Sequence, residues 1–72
     1  MMPLAMVNPG SRVKLVSVNG GRGISARLAA MGLLPGVEVE VVSKDPGGPF
    51  ILEVKGSRLV IGRGMALKIV VS

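Results

Sequence analysis

Residues 20–36 read GGRGISARLAAMGLLPG, the only stretch with helical period, and its reading decides the fold. Ile24, Leu28 and Met31 recur at i, i+4 and i+7, so they line one face of a short helix directed at a core. Arg22, Ser25 and Arg27 fall away from that stripe. Gly32 follows the last apolar position, where helices commonly end in the left-handed region that glycine enters without steric cost. Leu33 can then pack back on Leu28, the apolar contact that accompanies such an ending. Pro35-Gly36 makes the centre of a turn that launches the next strand. A helix of about three turns is too short to be stable alone, so its partner must be a sheet.

Working outward, Arg12 to Val18 (RVKLVSV) is β-branched and reads as a strand. Val13 and Leu15 share one face while Val16 and Val18 take the other, which predicts a bulge or strong coiling near Val16. Ahead of it, Asn8-Pro9-Gly10 is a turn signal and Met1 to Met6 a loose segment. After the helix, Val37, Val39 and Val41 alternate with Glu38 and Glu40, a half-buried strand. Lys44 to Pro49 (KDPGGP) reads as an exposed loop. Phe50, Leu52 and Val54 alternate with Ile51, Glu53 and Lys55 in a third strand. Gly56-Ser57 fits a two-residue hairpin loop, and Leu59 and Ile61 face inward on a fourth strand, with Arg58 and Val60 outward. Gly62 to Met65 suits a single 3₁₀ turn. Leu67, Ile69 and Val71 then form a fifth strand. Residues 9–17 (PGSRVKLVS) echo residues 35–43 (PGVEVEVVS), setting Arg12 and Lys14 against Glu38 and Glu40, an opposite-charge match if the two strands are neighbours.

Five short strands with one helix between the first and second predict a mainly β, single domain over residues 1–72, folded as a small barrel. A flat sheet would leave edges that so apolar a chain tolerates poorly. Apolar residues make up 49% of the 72, mean hydropathy is +0.61, and there is neither cysteine nor histidine, so packing alone must supply stability. High hydropathy also points to apolar surface kept for a partner or a second copy. No apolar run is long enough to cross a bilayer and no secretory signal opens the chain, so a cytoplasmic location without membrane insertion is expected.

The same composition bears on chemistry. Without histidine or cysteine the usual general base and thiol nucleophile are missing, and no cofactor or metal-ligand set is legible. Glu38 and Glu40 share a strand face, but alternation makes that the solvated face of a half-buried strand. Gly20-Gly21-Arg22-Gly23 opens the helix without the remainder of a phosphate-binding motif, so it reads as a tight turn. Five methionines read as gap-fillers. The net charge of +5 keeps nucleic acid open as a partner, although the sequence holds one aromatic residue, Phe50, and so lacks stacking platforms.

The run RLAAMGLLPGVEVEVV (27–42), the segment PGGPFILEVKG (46–56) and the closing RLVIGRGMALKIVV (58–71) resemble the FeoA family, small proteins of bacterial ferrous iron uptake. The most specific piece is R-L-x-x-M-G-L-x-P-G, Arg27 to Gly36. The resemblance implies an SH3-like barrel with an inserted helix, and a cytosolic, non-catalytic accessory acting on FeoB, a membrane permease with a GTP-binding domain. The same fold occurs as the C-terminal domain of metal-dependent repressors, and the absence of a helix-turn-helix ahead of it speaks against that reading. A partner surface is expected at Met31, Leu33 and Leu34, flanked by Arg22 and Arg27, with Leu33 equally placed for the core. A nucleic-acid-binding barrel and a self-associating module are the alternatives.

Overall fold

In the computed structural model, which describes residues 1–72, six strands and two helices follow in order: β1 (Met2–Pro3), β2 (Arg12–Val18), α1 (Arg22–Ala30), β3 (Glu38–Lys44), β4 (Phe50–Val54), β5 (Ser57–Ile61), α2 (Arg63–Ala66) and β6 (Ile69–Val71). All pairings are antiparallel, in the order β1-β6-β2-β3-β4-β5. Principal extents of 27 × 24 × 22 Å are nearly equal, so the sheet is rolled rather than flat. Its concave side holds Leu15, Val39, Val41, Leu52, Ile69 and Val71, and Phe50 lies at 0% exposure among the fully buried side chains. α1 contributes Leu28 to this core.

The C-terminal end of α1 forms as expected. Met31 is the last half-helical residue, Gly32 follows at φ +89°, the Gly32 amide donates to the Ala29 carbonyl (2.9 Å), and the Leu33 amide donates to the Leu28 carbonyl (2.9 Å). These two bonds and the buried Leu33 are the paired reversal that ends many helices. Gly32→Ala keeps open space for the new methyl but forces a side chain into the left-handed region. Its expected cost is about 1 kcal/mol, checked by the shift in urea midpoint at unchanged slope.

β2 and β3 are neighbours, with Arg12 opposite Glu40 and Lys14 opposite Glu38. Arg12 reaches both acids, at 3.0 Å from Glu40 and 3.7 Å from Glu38, so the opposite-charge match is realised. The register between β2 and β6 shifts between Leu15 and Ser17, which puts the expected bulge at Val16.

Four local expectations change. The N-terminal segment is not loose: β1 pairs with β6, a 3₁₀ turn spans Leu4–Met6, and Leu4 is wholly buried. Lys44 belongs to β3, and its Nζ donates to the carbonyls of Ala5 (3.0 Å) and Val7 (3.2 Å), which ties that segment to the sheet. The hairpin turn is Lys55-Gly56, both at positive φ, with Val54 opposite Ser57, as a type I′ turn requires. Residues 63–66 form a helical turn, and Leu67 is 53% exposed, so the last strand begins only at Ile69. Strands therefore number six, not five. Lys44→Met should leave two carbonyls without their charged donor and cost about 1–3 kcal/mol. Faster amide exchange in residues 4–7 than in β4 would report it.

Candidate functional site

All fifteen buried residues are apolar, and no buried side-chain polar atom lacks a partner. A catalytic group held out of water is therefore absent from the core. Three of the four acids lie on the outer face with cations beside them: Arg12 serves Glu38 and Glu40, and Arg58 Nε stands 3.9 Å from Glu53. A hollow of about 380 Å³ lined by Arg12, Glu38, Glu40, Glu53 and Lys55 is this solvated face of mixed charge. No group of three or more acids lies close enough together to hold a metal ion.

The apolar surface has a different character. A groove of about 190 Å³ runs between the end of α1 and the β5–α2 junction, lined by Arg27, Leu28, Met31, Val60, Ile61, Gly62 and Met65. Local sequence explains each wall. Leu28 and Ile61 form the floor because their strand and helix phases turn them inward. Met31 sits at the helix end, beyond the point where the stripe remains covered, and is 40% exposed. Val60 occupies the outward phase of β5 and is 64% exposed, an apolar side chain where a solvated strand face calls for a polar one. Arg27 supplies a cation to the rim. A second apolar hollow, about 170 Å³ beside Met2, Met6, Val7 and Val13, has no charged residue in its lining.

Of the residues expected at a partner surface, the groove brings Arg27 and Met31 together. Leu34 is exposed (49%), on the turn that follows, where the Val37 amide donates to its carbonyl at 3.1 Å. Leu33 is corrected: at 1% exposure it is a core residue, since ending the helix points it back at Leu28. Arg22 is exposed at the opposite end of α1, about 140° around the helix axis from Arg27, and does not line the groove. Val60 and Met65 were not identified from sequence as partner residues. The signal for Val60 was its outward phase beside Arg58. Met65 gave none, because a strand-breaking run reveals no direction for its side chains.

Charge divides along the chain in a way that composition conceals. Residues 20–34 and 57–72 carry Arg22, Arg27, Arg58, Arg63 and Lys68 and no acid, while all four acids lie between Glu38 and Glu53. The groove is thus built from the acid-free segments.

A family model described as the FeoA domain matches residues 2–72. A protein of Methanocaldococcus jannaschii, provisionally named Fe(2+) transport protein A, is 39% identical over 71 residues, covering 99% of this chain and 85% of its own length. Among solved structures, an iron uptake regulatory protein, FeoA, superposes with a TM-score of 0.92 at 37% identity, over 97% of this chain and 93% of that one. The FeoA of Stenotrophomonas maltophilia, solved in complex with zinc, gives a TM-score of 0.85 at 27% identity over 100% and 91%. It is described as an SH3-domain protein, for which a role as a ferrous iron transport activating factor has been suggested.

Proposed function

The chain belongs to the FeoA family, and on that premise we propose that it is a non-catalytic cytoplasmic accessory of ferrous iron uptake. It docks on the cytosolic part of an FeoB-type membrane GTPase and permease. The observation that carries this reading is the groove beside Met31: an exposed apolar surface with a cationic rim, on a domain with no buried polar group to perform chemistry. Apolar surface of this kind on a small domain marks contact with a partner. The docking residues are Met31, Leu34, Val60 and Met65, with Arg27 at the rim and Arg22 further along α1.

The mechanism is occupancy. A rigid barrel that binds one state of the permease better than another shifts the population toward that state, by no more than the difference in the two affinities. The role suggested for the S. maltophilia relative favours stimulation as the sense of the shift.

The test is a pull-down of tagged protein from solubilised membranes of the source organism, with and without nuclease, read by mass spectrometry. Recovery of a large membrane GTPase that survives nuclease is the expected result. Recovery of ribosomal or DNA-associated proteins that vanish with nuclease would overturn the reading in favour of a nucleic-acid-binding barrel.

A further inference from the structure

The two ends of the sheet are unlike. One is β1, two residues long and containing Pro3, which has no amide hydrogen to offer. The other is β5, five residues without proline. Because Lys55-Gly56 is a two-residue turn, Val54 and Ser57 close the hairpin as a hydrogen-bonded pair, and the alternation continues through Leu59 and Ile61. Arg58 and Val60 therefore direct their N–H and C=O groups away from β4. No backbone hydrogen bond outside the sheet ladders involves residues 57–61, and both residues are exposed. Sheet edges are normally blunted, because a row of unpaired groups recruits another strand. This one is left open, and the apolar groove lies directly beside its last residues.

We infer that β5 is a receiving edge: an extended partner segment adds to it as a further antiparallel or parallel strand, with alternate apolar side chains entering the groove between Met31 and Met65 and its remaining side chains acidic. This rests on the docking reading above and names the shape and chemistry of what docks. An added strand lies about 4.8 Å from β5, so every second side chain falls on the groove side. The acidic character follows from charge complementarity, since Arg27 lines the groove, Arg58 sits on the edge, and no acid lies in either segment that builds the groove. The same charge opposes a second copy, which would bring its own Arg58 to this edge. Nucleic acid fits poorly for a different reason. The edge offers carbonyl acceptors as well as amide donors, and a phosphate has no hydrogen to give.

The probe is a synthetic eight-residue peptide, Glu-Leu-Glu-Val-Asp-Ile-Glu-Val, titrated into isotope-labelled full-length protein. Two controls accompany it: the same peptide with lysine for every acid, and one with every backbone nitrogen methylated so that neither edge can donate. The expected result is at least tenfold slower amide exchange at Arg58 and Val60, with binding weakened at least tenfold for both control peptides. Val60→Pro removes one outward N–H without disturbing the ladder to β4, a placement that edge strands tolerate. It should weaken the acidic peptide at least tenfold. Should that variant fold badly, the methylated peptide decides alone. Equal binding of the lysine or methylated peptide, protection of these amides by self-association, or displacement by a charge-matched oligonucleotide would each overturn the inference. If wild type and a folded Val60→Pro recover the permease equally well, the edge inference falls and the docking reading stands. If neither recovers it, the docking reading falls, and the peptide titration judges the edge by itself.

Discussion

Phe50→Ala is expected to leave the chain unfolded at 25 °C. Phe50 is the sole aromatic residue, is 0% exposed, and heads β4, where it pairs with Lys44 on β3 and Ile61 on β5. Lys44 Nζ and the Arg63 guanidinium each stand 5.9 Å from its ring centre, so its removal also withdraws the surface on which two cations rest. Truncating a buried phenylalanine costs about 3–5 kcal/mol, and a domain of this size commonly has only about 3–5 kcal/mol in total. With no cysteine for a disulfide and no cluster of three or more ligating side chains to compensate, the two magnitudes meet. Circular dichroism during urea titration provides the check. A cooperative transition with only a slightly lowered midpoint would mean that the core closes over the gap.

Met31→Asp should have the opposite profile, with folding retained and partner capture lost by about a hundredfold or more, the size expected when a central apolar anchor is replaced by a charge. Met31 is 40% exposed at the last half-helical position of α1, so the carboxylate can remain in water in the free protein. In the complex it would be buried without a partner unless Arg27 reached it. Leu34→Asp, on the turn, should act in the same direction. If Leu34→Asp abolishes capture while Met31→Asp leaves it intact, the docking surface is centred on the turn rather than the groove. Normal capture by both would remove the surface altogether.

The fold was legible because its signals are local. Period 3.6 in residues 24–31, alternation in β3 and β4, and the glycine after Met31 each report a backbone geometry without reference to distant residues. The N-terminal strand escaped for the complementary reason. Met2 and Pro3 have no strand pattern of their own and are extended because β6 pairs with them, while Lys44 fastens the following turn from 37 residues away in sequence (to Val7) and 39 (to Ala5). The hairpin turn was misplaced by one residue because Lys55, a side chain at positive φ, looks like the end of a strand. The partner surface was half legible. A helix end announces Met31, but only the folded chain brings Val60 and Met65 across from it, and only burial tells Leu33 from Leu34.

The pairing of β6 with both β1 and β2 has a consequence in time. β3, β4 and β5 can zip together through neighbouring hairpins as soon as they exist, but β1 and β2 find their common partner only in the last three-residue strand. Closing so large a loop carries an entropic toll that no early local contact offsets. Synthesis from the amino terminus therefore leaves β1 unpaired, and β2 held on its β3 side alone, until Ile69–Val71 emerge.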